Sequence, residues 1–136
     1  MAIAYTISGD ERLIRATATG IIRADDLHEL IKSLLADPDL VPGLRALYDS
    51  RLAEPDITVM QLAEVASEAK TLLDRGLGRI ALVAGSTTTY RVEKTFTILA
   101  RALGIEVDAF RELAAAEAWL AEYPGGDAPR SRFLPR

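Results

Sequence analysis

The sequence predicts an α/β domain: a five-stranded mixed sheet, elements in the order ββαβαβαβα, with helices mainly on one face. Three observations predict it. Short apolar runs alternate with longer amphipathic stretches from Ile3 to Leu120. Glycine or proline punctuates nearly every joint. Arg15, Thr17, Arg45, Glu106 and Asp108 give one sheet face a polar character, which argues against a sheet wound evenly on both sides.

Ile3 to Ser8 and Arg12 to Thr19 read as two strands joined by a tight Gly9-Asp10-Glu11 turn. Ile14, Ala16 and Ala18 share one face and Leu13, Arg15, Thr17 and Thr19 the other, the period of a half-buried strand. Gly20 is expected to break that run. Leu27, Leu30, Ile31, Leu34 and Leu35 then make one apolar stripe over about 24–36, a helix. Asp25, Asp26 and Glu29 favour its N-terminal dipole, and Asp37-Pro38 ends it.

Leu44 to Asp49 is the third strand, with Pro55-Asp56 as a joint. Thr58 with Gln61 has the pattern of a capping box. It opens a helix to about Arg75, whose buried side is read as Val59, Leu62, Ala66, Ala69 and Leu73. Arg79 to Ala84 is apolar on both faces, a fully buried strand. Gly85-Ser86-Thr87-Thr88-Thr89 leads into a third helix with stripe Val92, Phe96, Leu99, Ala100 and Leu103. Ile105 to Phe110 and a helix over Glu112 to Glu122 complete the pattern, and each later strand-helix-strand unit implies a right-handed parallel crossover.

Composition limits the function classes. The chain has 136 residues and 49% hydrophobic residues, enough for one domain with its own core. It has no cysteine, which removes disulfides, thiolate chemistry and cysteine-held metals and fits the cytosol. A net charge of -4 argues against nucleic acid as partner. No run approaches the ~20 apolar residues of a membrane span, and the N-terminus lacks a signal-peptide pattern. A cytoplasmic protein without stable membrane insertion is expected.

Chemistry-bearing clusters are sparse, so no catalytic residue, metal ligand or cofactor is assigned. Ligands in open α/β sheets collect at the carboxyl ends of the strands. There Ser86 and Thr87, with Arg91 or Arg51 as the neutralising cation, are candidates for holding an anion on free helix amides; alternatively Ser86 or Thr87 only caps the helix. The spacing is not that of a P-loop. His28, the single histidine, lacks a partner constellation. Asp25 and Asp26 are ordinary first-turn acids. Trp119 either closes the core beneath the last helix or anchors a partner, and Tyr48 reads as a core residue whose hydroxyl needs a partner.

Three local patterns go further: Gly20-Ile21-Ile22 leading into Asp25-Asp26-Leu27; Leu47-Tyr48-Asp49-Ser50; and Phe110-Arg111 followed by Ala116-Glu117-Ala118-Trp119-Leu120. In this order the chain resembles the SpoIIAA-like proteins, relatives of the STAS (anti-sigma-factor antagonist) and SEC14-like group. The resemblance spans about residues 3–122, so residues 1–122 are assigned as a SpoIIAA/STAS-like domain and 123–136 as a basic tail containing proline and glycine. It implies that Asp49 and Ser50 match the pair whose serine is a phospho-switch in the antagonists, although Arg51-Leu52 replaces their small Ser-Gly continuation.

The resemblance also implies a non-catalytic binding or regulatory module acting on a protein partner or on itself. A polar-apolar mixture on the uncovered sheet face, with a basic tail on an acidic body, points to a homodimer. The tail arginines, Arg130 or Arg132, would then pair with Glu106 or Asp108 of a second copy. The alternative is a carrier of a small apolar or lipid-like ligand, which needs an enclosed cavity of ~300 Å³ or more. A third reading is an enzyme using Ser86 and Thr87 on an anionic substrate; it needs convergent polar groups and a shifted pKa.

Overall fold

A computed structural model of the protein describes residues 2–123. The elements are β1 (Ile3–Ser8), β2 (Leu13–Arg23), α1 (Ala24–Ala36), β3 (Arg45–Asp56), α2 (Val59–Asp74), β4 (Ile80–Ala84), α3 (Thr87–Arg101), β5 (Val107–Phe110) and α4 (Leu113–Ala121). The strands lie in sequential order, β1-β2-β3-β4-β5. Only β1–β2 is antiparallel; the other three pairs are parallel.

That order explains the layering. Each crossover moves one strand in the same direction, and right-handed crossovers stepping one way all fall on one face. α1, α2 and α3 therefore share a face and enclose the main core, around Ile14, Leu34, Val65, Ala69, Leu82 and Ala100. α4 follows the last strand and folds back over the opposite face. It packs Ala116 and Leu120 on Leu13, Leu47, Ala81 and Val83. β4 is apolar on both faces because it lies beneath both helix layers.

The polar residues expected on the second face are consistent with this cover. Arg45 Nη1 donates to the Leu120 carbonyl at 3.0 Å and Arg79 Nη1 to the Trp119 carbonyl at 2.7 Å. Two guanidinium groups thus satisfy carbonyls in the last turn of α4, where a helix leaves acceptors unpaired and favours positive charge. Glu106 and Asp108 are engaged within the chain, by Arg79 at 2.9 Å and by Lys94 at 2.9 Å. Residues 124–136, including Arg130 and Arg132, lie outside the described residues.

Two strands outrun their expected ends. β2 continues through Gly20, which takes φ +74, a conformation glycine reaches without steric cost. β3 runs seven residues past Asp49, through Pro55. Pairing with β4 stops at Ser50, so β2 is the only strand that residues 52–56 pair with among the described residues. A proline missing its N–H is tolerated on such a free edge. Asp49 opposes Thr17 but Leu52 opposes Thr19, so β3 carries one extra residue, a bulge. The bulge reverses the alternation of sides, which lets Ser50 and Ala53, three apart, both face the helix layer.

The capping box of α2 forms as read: Gln61 N donates to Thr58 Oγ1 at 3.1 Å and Thr58 N to Gln61 Oε1 at 2.9 Å. Val59, expected on the buried side, is instead 63% exposed. It occupies the first helical position, before the stripe of Leu62, Val65, Ala66, Ala69 and Leu72 turns onto the sheet.

Candidate functional site

Between the sheet and the three-helix layer lies an apolar cavity of about 130 Å³. Its origin is legible in side-chain size. Ala16 of β2 and Ala46 and Ala53 of β3 put methyl groups under the helices, opposite Leu30, Val65 and Phe96. Larger side chains on the strands would fill the space; alanines leave a gap that the helix backbones cannot close.

One stretch of the lining is polar. Tyr48 and Ser50 reach it from β3, Thr89 and Glu93 from α3. Glu93 is 6% exposed and, among the described residues, the only charged one lining the cavity. Its Oε2 lies 2.5 Å from Ser50 Oγ, and Ser50 Oγ lies 2.8 Å from the Val83 carbonyl oxygen. Its Oε1 is buried with no hydrogen-bond partner among the described residues. Desolvation pushes the Glu93 carboxyl up to about 7; the Ser50 hydrogen bond opposes the rise and the charge of Asp49 adds to it. Burial likewise raises the Tyr48 phenol, helped by the charges of Glu93 and Asp26.

The residues singled out in the sequence are distributed differently from their expected grouping. Asp49 and Ser50 are adjacent on a strand and point to opposite faces. Asp49 is held by its near neighbour: Arg51 Nε and Nη2 donate to its two oxygens at 2.9 Å each. That hydrogen bond keeps the Asp49 carboxyl below the usual range. Ser50 is 2% exposed and bonded to Glu93 rather than to Asp49. A kinase acting on it would first have to open the β3–α3 packing.

Ser86 caps α3, accepting from Thr89 N at 3.1 Å. Thr87 Oγ1 accepts from Arg111 Nη1 at 3.3 Å. Arg91 is one helical turn further and exposed. The cation beside the helix start is thus Arg111, which the sequence reading did not include. His28 Nδ1 lies 2.6 Å from Glu68 Oε1, tying α1 to α2. Trp119 packs against Phe110 under α4, with the Arg79 guanidinium 4.5 Å from its ring centroid. No cluster of three or more metal-ligating side chains occurs among the described residues, and no helix there is long and apolar enough to cross a membrane.

Glu93 was not among the candidates, yet it carried a signal. It lies three, four and seven residues before Phe96, Thr97 and Ala100, on the buried side of its helix. A carboxylate on an apolar stripe needs a buried partner.

A search of solved structures places this arrangement of elements among known folds. An uncharacterised protein of the DUF3478 family from Shewanella loihica PV-4, described as having a SpoIIAA-like fold, superposes with a TM-score of 0.57. The match covers 88% of this chain and 94% of that one at 19% sequence identity. The chain has a SpoIIAA-like fold. At that identity the likeness concerns the fold alone. No family model matches the sequence, and no curated protein matches it.

Proposed function

We propose that this SpoIIAA-like domain is a non-catalytic binding protein for a small apolar molecule, held in the cavity between the sheet and α1–α3. The observation that carries the reading is Glu93 Oε1, a buried acceptor without a partner among the described residues, in the polar stretch of a mostly apolar wall. Buried polar atoms in folded proteins are nearly always bonded, so an unbonded one in a cavity invites a ligand. Size narrows the class. A dry cavity of ~150 Å³ is known to admit benzene, whereas drug-sized ligands need ~300 Å³ or more. The volume suits a single ring and not an acyl chain, so the carrier reading is kept without its lipid-like part.

Absence of catalysis is part of this reading. Ser50, whose hydroxyl meets the Glu93 carboxyl in the cavity wall, has the Val83 carbonyl as its second partner rather than open space for a substrate. Native mass spectrometry of the purified protein tests the proposal. A bound mass below ~150 Da, or a thermal shift with small aromatic compounds, is expected. No shift with any ring compound at millimolar concentration would overturn it.

A second reading, docking of a protein partner or a second copy, is favoured by one observation. Ile21 is 55% and Leu52 78% exposed. The pairing of Thr19 with Leu52 sets them diagonally on β2 and β3, on the face turned away from α1. Exposed apolar neighbours mark interaction surfaces more often than scattered single residues do. Light scattering of Ile21→Glu/Leu52→Glu should show a lower mass than wild type if that face joins two copies.

A further inference from the structure

Resting on the cavity reading, we infer that the ligand is an uncharged single-ring molecule bearing a hydroxyl or comparable hydrogen-bond donor, bound with that group between Glu93 and Tyr48, and that anions are rejected. Glu93 Oε1 lines the cavity without a partner among the described residues. It is an acceptor in either charge state of the carboxyl. Ionised, both oxygens accept; protonated at Oε2 toward Ser50, Oε1 remains the carbonyl oxygen. A ligand atom meeting it must therefore donate.

Tyr48 supplies the complement. Tyr48 lines the same cavity, close enough for the Glu93 charge to act on its phenol. A phenol hydroxyl can donate as well as accept. A ligand hydroxyl, which donates once and accepts, satisfies both side chains at once. Apart from the Ser50 and Thr89 hydroxyls, which bond within the chain, the remaining wall from Ile14, Leu30 and Leu34 to Phe96 offers apolar contact. Among the described residues, no lysine, arginine or histidine lines the cavity. A carboxylate or phosphate would lose its hydration, gain no counter-charge and face Glu93, which is costly in an apolar interior.

Isothermal titration calorimetry with toluene, phenol, benzamide and benzoate tests the inference. Phenol should bind at least about tenfold tighter than toluene, the scale of one hydrogen bond made in an apolar site. Benzamide should bind and benzoate, of the same size, should not. Glu93→Leu should bring phenol and toluene within about threefold, and Tyr48→Phe should weaken phenol while sparing toluene. Equal binding of toluene and phenol to wild type, or benzoate as tight as benzamide, would overturn the donor requirement and leave the cavity reading standing. Silence of all four probes would remove the cavity reading and this inference together. Ala46→Ile, which fills the cavity from the sheet side, must abolish toluene and phenol binding; persistence would locate binding elsewhere and overturn both. The wild-type contrasts stand even if Glu93→Leu fails to fold.

Discussion

Ser50 and Glu93 meet across the gap between β3 and α3 at 2.5 Å, and the same serine oxygen lies 2.8 Å from the Val83 carbonyl. A hydroxyl has one proton and here has two acceptors in range. With Glu93 ionised, Ser50 can serve only one of them. With Glu93 protonated, the acid donates to Ser50 and Ser50 donates to Val83, so both hydroxyl protons are bonded and Oε1 alone is left without a partner among the described residues. Desolvation favours the neutral form, and the Ser50 hydrogen bond, which favours the ionised one, offsets it only in part.

That coupling predicts a pH dependence. Glu93 titrates at about 7 in the fold against an ordinary 4.5, so between these values the folded state keeps a proton that the unfolded chain releases. Stability is therefore highest near pH 4.5 and falls as pH rises towards and through 7, then levels, by about 3 kcal/mol over the window. Asp49 and Asp108, both lowered, act in the opposite sense and only below the ordinary carboxylate range. Urea unfolding of wild type and Glu93→Gln across pH 4.5–8 should show the slope in the first and its loss in the second. A flat wild-type profile would count against a neutral Glu93.

Replacing Ser50 with Asp should damage the fold. The residue is 2% exposed, and a second carboxylate would stand against Glu93 in an apolar setting. Like charges there force one group to stay protonated at a cost of several kcal/mol. A drop in melting temperature of about 10 °C or more is expected, since ~1 kcal/mol moves a domain of this size by roughly 3–6 °C. An unchanged melting temperature would mean that Ser50 reaches solvent readily, and would restore the phospho-switch implied by the Asp49-Ser50 resemblance.

Much of this architecture is legible in the sequence, because periodicity records which side of an element is buried. The Leu27–Leu35 stripe, the Thr58–Gln61 box and the two-faced apolarity of β4 are local patterns with one reading each. The β3 extension is not local: Pro55 joins a strand only because β4 ends early and leaves an edge. The bulge between Asp49 and Leu52 is hidden as well, since alternation before and after it is out of phase. The cavity was unreadable for a similar reason. Ala16, Ala46 and Ala53 look like ordinary small strand residues until strand register gathers them under the same helices.

Leu34→Ala tests the helix layer itself. Leu34 is 4% exposed and packs in the main core beneath α1. Truncating a buried leucine removes apolar burial and leaves a hole, for a loss of about 2–5 kcal/mol. The adjoining cavity makes collapse around the new space harder, which favours the upper half of that range. Chemical denaturation that finds less than about 0.5 kcal/mol, the scale of a surface change, would contradict the burial.

Arg79→Met probes how α4 is held to the other face. The guanidinium donates to the Trp119 carbonyl at 2.7 Å, stacks 4.5 Å from that ring's centroid, and pairs with Glu106 at 2.9 Å. Methionine keeps apolar length but loses the donor and the charge. The hydrogen bond is worth about 1 kcal/mol and the cation–π contact about 0.5–2 kcal/mol, so a loss of about 1–3 kcal/mol is expected. Trp119 is the only tryptophan, so its fluorescence reports on this helix alone. The variant should show red-shifted emission and easier acrylamide quenching before global unfolding, because α4 has nine residues and both guanidinium bonds reach carbonyls of its last turn. Emission and quenching identical to wild type would show that Ala116 and Leu120, buried on Leu47 and Val83, hold the helix without the arginine.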